Sequence, residues 1–344
     1  MPIKKGGYYF MTNKKRTTSA TKKVLVVLCL SLLATSVLFT SSAFAQTKTG
    51  QLRSATKLQG TIRISGAWAL YPMMVRWAEE FKKIQPDVRI DVSAGGAGKG
   101  IADAVAGMVD LGMVSRDIKE EEIRQGIVFV PVVKDAVFPA VNAANPVTKI
   151  LLKKGIKKET FVKLWIQGEK VSWGAIAGTP AKDNVQVYTR SDACGAAETW
   201  AKYLTNKNQE DLQGIGVYGD PGLADAVKKD KLGIGFNNLN YAYDSKTGLP
   251  MAGIQVVPID VNENGKIDAN EDISTKQKAI RSILDGVYPS PPARDLFVVT
   301  KNQFKEPAKS FVKWILTKGQ GYANEVGYIA IKEAQVKEAQ AKVK

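Results

Sequence analysis

From residue 60 onward, short β-rich runs alternate with helical stretches along nearly the whole chain, a pattern that excludes all-α and all-β folds and predicts α/β layers. The strand-like runs are 61–65, 88–92, 109–114, 127–133, 185–189, 233–237 and 296–300. Between them, helical spacing predicts helices over 73–84, 101–108, 158–167, 196–204 and 308–316. In the first of these, Met73, Trp77, Phe81 and Ile84 line one face, with Arg76, Glu79, Glu80 and Lys83 opposite. The pattern changes around 135–145, where a second unit begins, and a chain of 344 residues and 37.4 kDa suffices for two lobes. The stretch from Ile331 reads as a solvated helix or a disordered tail, and no repeat of fixed period occurs.

Composition removes function classes rather than folds. With no histidine there is no Ser-His-Asp triad, no Cys-His pair and no His-ligated zinc. No acid/base pair of defined spacing is visible, so an enzyme is not expected. The formal charge of +16 is partly carried by residues 1–45, which hold seven basic residues and no acidic one. A basic lead, an apolar run over 24–39 and Ala43-Phe44-Ala45 before Gln46 read as an export signal cleaved after Ala45. An uncleaved membrane anchor over 24–45 is the competing reading. Without those seven, 42 of the 49 basic residues face 33 acidic ones, a net +9 that favours anions. No basic stripe interleaved with aromatics occurs, so nucleic acid is not an expected partner. Cys29 lies in the apolar run, which leaves Cys194 alone and without an intramolecular disulfide.

Three segments share one device, in which a strand ends, small residues turn the chain and a helix starts. They are Ser65-Gly66-Ala67-Trp68-Ala69-Leu70-Tyr71-Pro72, Ser93-Ala94-Gly95-Gly96, and Arg190-Ser191-Asp192-Ala193-Cys194-Gly195-Ala196-Ala197. A helix N-terminus carries unpaired N–H groups and partial positive charge, and small residues let an oxyanion approach it. Each turn alone is an ordinary cap; three together, one with an arginine, point to an anion.

The order of these segments resembles the phosphate-binding protein of the phosphate ABC transporter, a type II periplasmic solute-binding family. The likeness runs through Gly66 to Tyr71-Pro72, Ser93-Ala94-Gly95-Gly96 and Val109-Asp110-Leu111-Gly112-Met113-Val114-Ser115-Arg116. It continues through Phe161 to Gly168 with Ser172-Trp173-Gly174, then Arg190-Ser191-Asp192 ahead of Gly195, Ile234-Gly235-Phe236 and Tyr288-Pro289. The resemblance implies a two-lobed α/β fold with a ligand cleft between lobes: 59–137 and 291–330 in the first, 138–290 in the second. A lead-in at 46–58 and a polar tail at 331–344 flank them. It implies a monomer that captures phosphate or a related oxyanion, closes on it and docks on a membrane permease.

The resemblance also implies ligands: backbone N–H groups of Leu70 and Tyr71 within a residue or two, the Ser93 hydroxyl, Arg190 as charged donor, Asp192 steadying it, and the Gly195 N–H. Three positions depart from the family pattern. Cys194 stands where serine is usual, Ala196 where threonine is usual, and Ser115 where many members carry an aspartate; all three stay in the expected anion-binding set, Ser115 through its hydroxyl. Two hydroxyl donors are thereby lost, and so is a carboxylate that accepts a hydrogen bond from protonated phosphate and repels sulfate. Phosphate is the expected anion, with sulfate, molybdate and tungstate as rivals.

A separate motif fits a twelve-residue calcium loop. Asp260, Asn262, Asn264, the Lys266 carbonyl, Asp268 and Glu271 fall at the oxygen-ligand positions, with Gly265 at the sharp turn. The strand-like run before it contains Pro258, so the usual entering helix is missing. Calcium there is structural, and no cofactor for activity is expected; an Asn/Gly-rich loop without metal is the plain alternative. The loop and the lost ligands together raise a second function, a calcium-braced cell-surface scaffold or adhesion protein that has kept the lobes and lost its anion.

Overall fold

A computed structural model describes residues 57–344. The export signal, its cleavage after Ala45 and most of the lead-in lie outside the described residues. Among the described residues no helix is long and apolar enough to cross a membrane.

The fold is mixed α/β with ten strands: β1 (Gly60–Gly66), β2 (Val88–Ala94), β3 (Leu111–Val114), β4 (Ile127–Asn142), β5 (Gln186–Arg190), β6 (Ile215–Val217), β7 (Gly233–Asn238), β8 (Ile254–Val256), β9 (Ala293–Lys301) and β10 (Ile329–Ala330). They are ordered β2-β1-β3-β9-β4-β7-β5-β6, with β8 and β10 also on β4. β1 pairs in parallel with β2 and β3, and β5 in parallel with β6 and β7. Each lobe thus has its own small parallel sheet, as expected where helices connect the strands. One buried core gathers Ile62, Trp77, Phe81, Val130, Val298 and Phe311. The other gathers Phe138, Phe161, Trp165, Trp200, Phe236 and Tyr243.

β4 is the main departure from the expected elements. Sequence reading ends that strand at Val133, with the pattern changing around 135–145. Instead it runs 16 residues, pairing with β9 as far as Ala136 and with β7 from Val137. The ladder with β9 shifts register between Pro131 and Val133, which accommodates a residue that has no N–H to give. Asp135 is tolerated because its Oδ1 accepts the Leu239 N–H at 3.2 Å. The lobes are therefore joined through one continuous strand.

Two smaller expectations also change. In the helix Tyr71–Ile84 it is Ile84 that is exposed, at 55%, while Glu80 is buried and held by Arg76 and Lys83. The tail takes the helical alternative, Glu333–Lys342, mostly solvated as expected, but Ala339 and Val343 join the first core. Apolar residues so sparse give no periodic stripe to read.

Candidate functional site

The three small-residue turns end up at the seam between the two lobes, although they do not contribute equally. The first turn is a 3-10 helix, Trp68–Leu70, running into the helix Tyr71–Ile84. Leu70 N–H bonds to Ala67 O at 3.1 Å, and Tyr71 N–H bonds to Trp68 O. Neither expected backbone donor is therefore free. The unpaired N–H groups at the head of this turn belong to Trp68 and Ala69, two residues earlier, where no side chain caps them. Trp68 also reaches the second lobe, with its ring edge-on to Tyr218 at 6.2 Å and its carbonyl accepting from the Tyr241 hydroxyl at 3.3 Å.

In the second turn, Gly95 and Gly96 both donate to Gly66 O, at 2.9 and 3.0 Å. Ser93 is exposed at the end of β2, and its Oγ donates to Ile64 O at 3.3 Å, within its own lobe. The structure does not bring this hydroxyl to Arg190 or Gly195. What the turn contributes is closure. Gly98 N–H bonds across the seam to Ala193 O at 3.0 Å, and a Cβ on Gly96 would sit 2.5 Å from that carbonyl and 3.0 Å from the Asp192 carboxylate.

The third turn holds the chemistry. Gly195 and Ala196 open the helix Gly195–Thr205, and Cys194 caps it, its Sγ accepting the Ala197 N–H at 3.3 Å. Cys194 gives its own N–H to Gln209 Oε1 at 2.9 Å, so the N–H groups left without partners are those of Gly195 and Ala196. Burial pushes the Cys194 thiol up to about 12 despite the pull of Arg190, so it is a neutral cap rather than a nucleophile. Gly195 is pressed so closely on Ser115 that any Cβ would collide with that residue's carbonyl and hydroxyl oxygens.

Arg190 is wholly buried behind this helix. Its Nε and Nη2 donate to Asp192 at 2.7 and 2.6 Å, and its Nη1 donates to Asp220 at 2.7 Å. Burial opposes the charge, but Asp220 and Asp192 outweigh it and hold the guanidinium more firmly protonated than usual. A guanidinium has five N–H groups, so a fork remains with one hydrogen on each Nη.

Sequence reasoning missed the rest of the network. Asp220 Oδ1 accepts from Asn238 Nδ2 at 2.7 Å, and Asn238 Oδ1 accepts from Arg294 Nη2. Arg294 Nε donates to Ser115 O at 3.0 Å, and its Nη1 lies 3.5 Å from Asp135 Oδ2. Burial raises Asp135 to about 6, with Arg294 pulling the other way. The local signals were Gly219-Asp220-Pro221-Gly222, which form the first turn of a helix (Gly219–Lys229), and charged residues inside apolar strands. A cleft of about 480 Å³ opens beside the network, lined by Arg116, Lys119, Lys134, Lys202, Lys207 and Arg294 among others. It lies to one side of the turns; where these meet, the lobes touch.

Comparison with known proteins agrees with this architecture. Protein SphX of Synechococcus elongatus is 24% identical over 291 residues, covering 81% of this chain and 80% of that protein. The phosphate-binding protein PstS of Xylella fastidiosa (strain 9a5c) is 26% identical over 311 residues, covering 82% and 85%. Among solved structures, a putative phosphate ABC transporter substrate-binding protein with bound phosphate from Clostridium perfringens superposes with a TM-score of 0.64. That match is at 24% identity and covers 79% of this chain and 100% of the other, a likeness of fold. Residues 53–318 match the PBP superfamily domain, and with the two-lobed fold closing on its own small-residue turns, this chain belongs to that superfamily.

Proposed function

We propose that this protein is a non-enzymatic, exported solute-binding protein that captures inorganic phosphate as a monomer and delivers it to the permease of an ABC importer. The observation that carries the reading is the buried Arg190, fixed by two carboxylates beside the free N–H groups of Gly195 and Ala196. Held in this way, a guanidinium loses little freedom when it takes an oxyanion with its remaining fork. Trp68 and Ala69 bring further N–H groups from the other lobe, so an anion is bound by both halves and favours their closure. Of the relatives named above, the Xylella fastidiosa PstS and the Clostridium perfringens structure carry phosphate-binding names, and none of the three carries a scaffold or adhesion name.

The buried charges also bear on which anion. Asp135, Asp192 and Asp220 face Arg190 and Arg294, so acid already exceeds base before a ligand arrives. An anion that keeps a proton, as phosphate does near neutral pH, suits such surroundings better than fully ionised sulfate. The test is calorimetry of the purified protein against phosphate, sulfate, molybdate and tungstate across pH. Binding of phosphate with at least tenfold preference over sulfate is expected; equal affinities, or no binding of any of the four, refute the reading.

A further inference from the structure

The loop 260–271 takes no part in the seam, and a role for it stands independently of phosphate binding. It leaves the bridge between Ile156 and Ile259 and is fastened to the second lobe at two points. Asp260 N–H bonds to Ile156 O at 3.2 Å, and Ile267 N–H bonds to Lys153 O at 2.8 Å. Ile259 before it and Ile273 after it are buried in that lobe's core. In a basic chain this segment is acidic, with Asp260, Glu263, Asp268, Glu271 and Asp272 against Lys266 alone.

Inside the loop the backbone already turns as a cation site requires. Gly265, at φ +81°, gives its N–H to Asp260 Oδ2 at 2.9 Å. Glu271 Oε1 gathers the N–H groups of Val261 and Asn262 at 3.1 and 3.2 Å, and its Oε2 takes that of Asp268 at 3.1 Å. Such bonds close many Asx-rich turns and identify no ligand. The informative atom is Asp260 Oδ1: the residue is 2% exposed and this oxygen has no donor among the described residues. A buried carboxylate oxygen without a partner is costly. The ammonium nearest in sequence, Lys266 Nζ, goes instead to Asp268 Oδ1 at 3.1 Å.

We propose that Asp260, Asn262, Asn264, the Lys266 carbonyl, Asp268 and Glu271 bind one calcium ion that braces the second lobe. Among the described residues no three carboxylate or sulfur side chains stand together as a ready-made metal cluster. The site assembles by exchange instead. The Nδ2 groups of Asn262 and Asn264, each 2.9 Å from Asp268 Oδ2, turn aside, and the ion takes the freed oxygens together with Asp260 Oδ1. An all-oxygen set of mixed charge and flexible geometry suits calcium rather than magnesium.

The test is calorimetric titration of the chelator-treated protein with calcium chloride, magnesium chloride serving as control, together with melting curves in calcium and in chelator. One calcium per chain and a calcium-dependent rise in melting temperature are expected, with at least a tenfold loss of affinity in Glu271→Gln. Because that carboxylate is buried, Asp268→Ala, at a half-buried position, is the second variant, expected to melt like the parent in chelator and to lose the calcium response. Identical melting in millimolar calcium and in chelator, or a calcium response kept by Asp268→Ala, overturns the proposal.

Discussion

The lobe seam and the 260–271 loop both concentrate charge, and they do so in opposite ways. At the seam, groups from residues 115 to 294 converge on one buried chain of hydrogen bonds, and Arg190 is matched by carboxylates on two sides. In the loop, all the groups come from one short stretch, most are at the surface, and a deeply buried oxygen is unmatched. Charges that the fold supplies with partners hold the molecule together whether or not ligand is present. Even the seam atoms without a hydrogen bond, Asp135 Oδ2 and Arg294 Nη1, lie 3.5 Å apart as an ion pair, whereas Asp260 Oδ1 has no counter-charge of that kind among the described residues.

The largest effect that separates the two regions is expected from Arg190→Ala. Sequence alone expects this variant to lose anion binding and keep its fold, but the side chain is fully buried between Asp192 and Asp220. Removing one partner of such a cluster strands the others, at a cost of about 3–5 kcal/mol, so chemical denaturation should show strong destabilisation. Arg190→Lys, read by calorimetry with phosphate, then separates charge from the fork: weakened binding in a folded protein is expected.

Acid should sharpen the comparison next. Asp135 binds its proton more tightly when folded, at about 6, than when unfolded, near 3.8. Between those values the folded state holds the extra proton, so this group's contribution to stability falls as pH rises through 6. The slope is about 1.4 kcal/mol per pH unit. Stabilities of the parent and of Asp135→Asn should differ by that slope between about pH 4 and 6 and run parallel above it; curves parallel throughout would exclude it.

A smaller effect, about 1–3 kcal/mol, is expected from Gly195→Ala, whose methyl group collides with Ser115 across the seam. The lobes should then close poorly, with phosphate affinity falling more than stability does. The smallest change is expected in the loop, where Asp268→Ala without calcium should leave the melting temperature unmoved. A large shift there would mean that the loop, like the seam, is already complete.

Much of the architecture was legible because alternating strands and helices carry their own periodicity, and because Arg190, Asp192 and Gly195 sit within one short run. Asp220, Asn238 and Arg294 were not, since each becomes meaningful only when distant strands place it beside Arg190. Leu70 and Tyr71 were expected as donors only to within a residue or two, and a tight first turn consumes their N–H groups, a detail set by backbone geometry rather than residue type. Ser93 looked like a ligand by position, yet which way a hydroxyl at a strand end turns depends on its neighbour, here Ile64 O.

β4 belongs to both halves of the molecule, and its partner changes from β9 to β7 between Ala136 and Val137. The halves are thus coupled by a shared girder rather than a slack tether. Asp135 stands one residue before that change of partner, and its Oδ1 accepts the Leu239 N–H from the second lobe, so bending the girder there would disturb a buried carboxylate.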